Sequence, residues 1–153
     1  MTTLVIPEDT NTYGNVFGGR VMEIVDKAAA IAALRHCRSG VVTASLDSLD
    51  FIHPVGLGDI LHVVAQVNNA CHSSMEVGVK VFSENPLSGE RLHTCTAYLT
   101  MVALGPDRRP ARCVPPIRAE SDAERRRLED SERRRLQRLA RVKERNRRAG
   151  EQD

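Results

Sequence analysis

The stretch Asp9–Leu34, DTNTYGNVFGGRVMEIVDKAAAIAAL, carries the reading on which the fold depends. Asp9, Asn11, Gly14, Asn15, Gly18 and Gly19 are residues that favour turns and helix starts, whereas Val21 to Leu34 consists mostly of good helix formers. A loop therefore feeds a helix. At about 100° per residue, Asp26 shares a face with Gly19, Met22, Ala29, Ala30 and Ala33; Arg20, Glu23 and Lys27 lie to another side, where Glu23 and Lys27 can pair at i, i+4. Apolar on most sides and small along one, this helix suits burial against a sheet. A carboxylate in such a helix must be paired, shifted in pKa or chemically employed, so Asp26 is the first candidate for chemistry.

Outward from this helix the chain reads as β-structure. Thr3 to Ile6 is a short strand at a sheet edge, ended by Pro7. Arg38-Ser39-Gly40 stops the helix, and β-rich segments follow at Val41 to Ile52, Ile60 to Asn68, Ser74 to Ser83 and Arg91 to Leu104. The turns between the last four strands are short enough for hairpins, which makes neighbours antiparallel. Met75, Val77, Val79 and Val81 alternate with Glu76, Gly78 and Lys80, predicting one buried and one wet face. A strand, a long helix and four antiparallel strands make an α+β domain in which one sheet covers one helix.

Pro106, Pro110, Pro115 and Pro116 mark an irregular linker, so we place one domain over residues 1–117 and a separate tail over 118–153. The tail carries a net charge of +4 against −2 for the rest of the chain, within an overall +2. Its thin apolar stripe of Leu128, Leu136, Leu139 and Val142 predicts a weakly anchored charged helix over Ala119 to Arg148. The Arg125–Arg127 and Arg133–Arg135 triplets are interleaved with acids, and only 3% of the chain is aromatic, so nucleic acid is a poor partner. Cys37, Cys71, Cys95 and Cys113 form no C-x-x-C pair, and the N-terminus does not read as a signal peptide; the expectation is reduced thiols in the cytoplasm. No apolar run reaches the ~20 residues of a membrane span.

Several chemistries lack their motifs. There is no G-x-S-x-G and no G-x-x-x-x-G-K-[ST], and the five histidines show no metal-ligand spacing, so neither a metal nor a cofactor is expected. What remains is a glycine-bearing helix start, where the N–H groups of Phe17, Gly18 and Gly19 could bind an oxyanion, and a carboxylate two turns further on. Gly19 and Asp26 are about 10 Å apart along the helix, too far to act on one small group within a single chain. A site using both would need a second subunit. Read structurally, the glycines would only permit close packing and Asp26 would only pair with Lys27 or Arg20.

Pro7–Gly19 (P-E-D-T-N-x-x-G-N-V-F-G-G), Met22–Asp26 (M-E-I-V-D) and Val41–Ser45 (V-V-T-A-S) together resemble the hotdog-fold acyl-CoA thioesterases, in the bacterial broad-specificity and brain-type group. F-I-x-P at Phe51–Pro54, Gly58-Asp59, S-S-M-E-V at Ser73–Val77, G-E-R at Gly89–Arg91 and T-x-V-A-L at Thr100–Leu104 extend the likeness over Leu4 to Leu104. The resemblance implies a five-stranded antiparallel sheet wrapped around one long helix, and dimers, often in trimers of dimers. It also implies an active site at the dimer interface, with Asn15 from one protomer and Asp26 from the other, and Thr43 beside the carboxylate. Phe17 stands where some relatives carry a histidine. The implied activity is hydrolysis of acyl-CoA to free acid and CoA: Asp26 is the general base or nucleophile, while Asn15 and the N–H groups near Gly18 and Gly19 hold the oxyanion. Ser74 and Arg91 are the candidates to meet CoA, with Lys80 and tail arginines behind them. A non-catalytic acyl-CoA sensor is the alternative; a hotdog dehydratase would need a histidine at the helix start.

Overall fold

In the computed structural model residues 1–110 and 114–150 are described; Cys113 and the last three residues of the expected tail lie outside them. The long helix α1 spans Gly18–Cys37. It stops where expected: Arg38 takes the left-handed conformation and donates its N–H to the Leu34 carbonyl at 2.9 Å. Around α1 are β1 (Thr2–Leu4), β2 (Gly40–Phe51), β3 (Ile60–Ala70), β4 (Ser74–Glu84) and β5 (Arg91–Leu104), all antiparallel in the order β1-β3-β4-β5-β2. This is the hotdog fold, with β1 and β2 at the open edges.

The core forms where two periodicities meet. Val21, Ile24, Val25, Ala28, Ala29 and Ala33 of α1 pack on Met75, Val77, Val79 and Val81 of β4 and on Cys95, Ala97, Leu99, Met101 and Ala103 of β5. Alanine on the helix side lets the sheet approach closely. Within this chain Asp26 is not buried as the sequence suggested: it lies on an open face of α1 with exposed Met22 and Leu34. Exposed Leu46 on β2, on the same face of the sheet as Thr43, adds to this open apolar surface.

Four β-bulges interrupt the ladders: Ala44 and Asp47 in β2, Asn68 in β3 and Thr94 in β5 each lack a cross-strand partner. Two of them bring polar side chains to the face of the sheet away from α1. The Asp47 carboxylate, only 7% exposed, accepts from Arg138 Nη1 at 2.5 Å; Asn68 donates its Nδ2 to Glu76 at 3.2 Å. Arg138 belongs to α2 (Asp122–Gly150), which lies across this outer face.

The outer face of β4 is therefore not simply wet. Glu76 is buried under Arg134, whose Nη2 donates to Oε1 at 2.6 Å while its guanidinium lies 3.7 Å from the Tyr98 ring centroid. Burial works against the Arg134 cation, but the Glu76 contacts outweigh it and the pKa is raised. The helix is rotated away from its apolar stripe: Ser131 is fully buried and Leu128 half-buried, whereas Leu136, Leu139 and Val142 are exposed. Long arginine stems reach the sheet where leucines were expected to. No helix of the described residues is long and apolar enough to cross a membrane.

Candidate active site

The loop before α1 is organised by its own polar side chains. Asp9 accepts the Arg20 Nε–H at 2.7 Å and the Ile6 N–H at 3.2 Å, while its carbonyl accepts the Phe17 N–H at 2.9 Å. Asn11 Oδ1 accepts the N–H groups of Tyr13 (2.9 Å) and Asn15 (3.2 Å), closing an Asx turn. Gly14 completes it at φ +76°, a conformation that favours glycine, and Val16 ties the loop to Val55. The loop thereby brings half-buried Asn15 beside the helix N-terminus.

These contacts correct the expected oxyanion donors. The Phe17 N–H is committed to Asp9 and is not free. Phe17 is the N-cap and supplies no side-chain cap; Gly18 and Gly19 have N–H groups without a partner among the described residues. Two orphan donors at the positive end of a helix can stabilise a developing oxyanion. Gly18 also faces the Phe51 ring, which an added Cβ would meet at 3.5 Å.

Asp26 sits eight residues further along α1. Thr43 Oγ1 donates to Asp26 Oδ1 at 2.6 Å, so β2 and α1 bring together the hydroxyl and carboxylate paired by the resemblance. The plainer partners are engaged elsewhere: Lys27 with Glu23 at 2.5 Å, and Arg20 with Asp9 and Glu23, both at 2.7 Å. Asp26 Oδ2 has no partner among the described residues. At 1.5 Å per residue Gly18 and Asp26 are about 12 Å apart, so one chain holds the two halves separately.

A cleft of about 370 Å³ opens between the loop and the end of β2, lined by Asn15, Gly18, Phe51, His53 and Thr94 among others. Thr94 Oγ1 is buried there without a partner among the described residues. His53 Nδ1 is 2.9 Å from the His93 carbonyl; since a carbonyl only accepts, Nδ1 carries the proton and Nε2 is the lone-pair nitrogen in the neutral ring. His53 thus brings an imidazole to the cleft although Phe17 does not. Sequence reasoning missed it, although it lies inside the F-I-x-P motif.

The two expected CoA contacts are not brought together. Ser74 opens β4, and Arg91 is paired in register with Glu84 at its other end, about 33 Å away at the usual strand rise. Arg91 Nη2 is 2.7 Å from Glu84, which also bonds His62 at 2.7 Å. Arg91 holds the Glu84 carboxyl below its ordinary range, with burial opposing and His62 assisting. Among the described residues no group of three or more His, Cys, Asp or Glu side chains is arranged to hold a metal ion.

Fold and site together define a hotdog thioesterase. The sequence profile of the thioesterase superfamily matches residues 13–90, and the chain belongs to that superfamily. The uncharacterized acyl-CoA thioester hydrolase YkhA of Bacillus subtilis is 43% identical over 123 residues, covering 80% of this chain and 71% of that protein. A solved apo-hexameric acyl-CoA thioesterase superposes with a TM-score of 0.88 at 41% identity, over 93% of this chain and 90% of that one. The Staphylococcus aureus acyl-CoA hydrolase, solved in complex with butyryl coenzyme A, coenzyme A and coenzyme A disulfide, gives 0.88 at 38% identity, over 96% and 89% of the two chains. Variants of that enzyme replacing one aspartate, one threonine and one asparagine with alanine have also been solved.

Proposed function

We propose that this chain hydrolyses acyl-CoA thioesters at a site shared between two protomers. Asp26, oriented by Thr43, takes a proton from water as the water oxygen attacks the thioester carbonyl carbon. The oxyanion forms at the partner protomer's loop, held by the Gly18 and Gly19 N–H groups and the Asn15 amide. Collapse of the tetrahedral intermediate breaks the C–S bond, and the proton held by Asp26 returns to the CoA thiolate. In a nucleophilic variant the same carboxylate forms a mixed anhydride that water then hydrolyses. Ser74 is retained as a CoA contact, whereas Arg91 would have to leave Glu84. The enzyme is at least a homodimer, joined at β2, and a trimer of such dimers would give the hexamer.

The observation carrying this reading is the 2.6 Å Thr43–Asp26 bond on a face open in the single chain, while the free helix N–H groups lie about 12 Å away. A thiol-release assay with acyl-CoA substrates tests it. Asp26→Asn should lower kcat by about 10²-fold or more, the usual scale of general-base catalysis. Wild-type protein that binds acyl-CoA without releasing thiol would be a sensor.

A second assignment of the loop amide has its own support. In the three S. aureus variants the asparagine stands fifteen residues before the aspartate and the threonine seventeen after it. Asn11, Asp26 and Thr43 have the same spacing here. Without a gap, that spacing favours Asn11 over Asn15. Asn11 Oδ1 already accepts two backbone bonds, leaving its Nδ2 to face a ligand.

A further inference from the structure

We infer that the cavity between α2 and the outer face of the sheet is a binding site for a phosphate-bearing ligand with an apolar part, of the nucleotide class. It lies on the opposite face of the sheet from α1, so Asp26 is not in it, and encloses about 390 Å³. Its floor is sheet: Val64 and Gln66 from β3, Lys80 from β4 and Thr96 from β5. Arg126 and Arg127 from the first half of α2 form the wall above.

Three features favour an anion. Lys80 and Arg126 make no ion pair among the described residues, and Arg127 has only a loose one, 3.9 Å from Glu124. The cavity's acid, Asp130, is already paired with Arg133. Three cations with little neutralisation therefore line one cavity, a charge pattern that phosphate oxygens satisfy. Gln66 and Thr96 add neutral polar groups at the floor, while exposed Val64 offers an apolar surface for the uncharged part of a ligand.

The wall is held in place before any ligand arrives. Arg134 grips buried Glu76 through Nε and Nη2 and stacks on Tyr98, and Ser131 is sealed against the sheet. Asn68 lies over Gly78, where an added Cβ would come within 2.6 Å of its Nδ2, and braces Glu76 from the other side. These anchors fix the stretch of α2 that carries Arg126 and Arg127 along the cavity wall. A site preorganised in this way loses less free energy on ordering.

The ligand can be a free nucleotide or the nucleotide end of CoA, and the full-length protein distinguishes them. ADP and pyrophosphate binding are measured by calorimetry for wild type, for the double variant Arg126→Gln/Arg127→Gln and for Lys80→Met. Loss of a charge-assisted hydrogen bond should weaken ADP at least about tenfold in each variant, with unfolding temperatures near wild type. An unchanged KM for acyl-CoA then assigns the site to free nucleotide, and a KM rising in parallel assigns it to CoA. If neither ADP, pyrophosphate nor CoA binds in a way that depends on these residues, the inference is overturned. Thioester turnover is scored separately: an inactive wild type that still binds ADP through Arg126 and Arg127 would refute the hydrolase reading and leave this one standing.

Discussion

Asp26 acquires its proposed role from its partners. Among the described residues it has neither Lys27 nor Arg20 as counter-ion, and its one hydrogen bond comes from a strand hydroxyl. Thr43→Val keeps the shape and removes that bond, so kcat should fall about tenfold, less than for Asp26→Asn, with KM little changed if Thr43 orients the base or water rather than binding substrate. An equal loss of kcat in both variants would make Thr43 more than an orienting group. The loop asparagines separate by a paired measurement. If Asn15 polarises the carbonyl, Asn15→Ala should cost about 10²-fold in kcat, the scale of one oxyanion donor. If Asn11 does so, Asn11→Ala should cost that much and also loosen the loop, because two backbone N–H groups lose their acceptor. Circular dichroism and unfolding temperature separate those two effects. Cys95 illustrates the opposite outcome of burial: its thiol is pushed up to about 11 by desolvation, and it has no place in the proposed chemistry.

Among the elements, β4 joins the core to α2 and is the most sensitive to substitution. Gly78→Ala would place a Cβ where Asn68 Nδ2 now lies, 2.6 Å away. The Asn68 side chain is buried, so its displacement should break the Asn68–Glu76 bond and weaken the Arg134 anchor. We expect a loss of about 1–3 kcal/mol, read as a lower unfolding temperature, with kcat nearly unchanged because the site lies across the sheet. The far end of the same strand has a pH signature. Glu84 has a folded pKa below its ordinary 4.5, so its stabilising contribution is present above that value and is lost as pH falls through the lower folded value. Arg91→Met removes the largest cause; its unfolding temperature should lie below wild type at neutral pH and converge with it on acidification. Much of this architecture is legible in the chain. β-rich composition and the turn residues between segments locate β2 to β5 within two residues at their ends, and the Asp9–Gly19 turn residues locate the start of α1. Bulges are not legible, because one extra residue among β-formers leaves the composition unchanged; Asp47 and Asn68 therefore gave no sign that they reach α2. The α2 helix is legible over most of its length, but its docking is not, because arginine stems and ion pairs rather than the apolar stripe do the packing. The Thr43–Asp26 pairing came through family resemblance, since no local pattern joins residues seventeen apart on different elements. The Phe17 N–H was misassigned because loop hydrogen bonds depend on backbone path rather than residue type.

For the whole molecule, the proposed division of the site between protomers makes a demand that single substitutions cannot test. Within one chain Asp26 faces outward from α1, with exposed Met22 and Leu34 on the helix and Leu46 on the edge strand β2. Edge strands with exposed apolar side chains invite pairing, and a second copy joined at β2 would cover this surface while bringing its loop to Asp26. The consequence is complementation. Each active site of a symmetric dimer takes Asp26 from one chain and the loop amide from the other. Asp26→Asn homodimers have no working base, and homodimers of whichever loop variant abolishes turnover have no working carbonyl clamp. In a mixed dimer, one of the two sites draws both functional residues and the other draws both defects. Unfolding the two inactive proteins together at equal concentration and refolding them should make about half the dimers mixed, each with one working site, and restore about a quarter of wild-type activity under random pairing. Refolding each protein alone should restore none. If Asp26 and the loop amide instead serve one site within the same chain, no mixed dimer contains an intact site and the mixture stays inactive. Size-exclusion chromatography with light scattering on the refolded mixture checks that assembly occurred, so persistent inactivity of correctly assembled oligomers would reject the shared site.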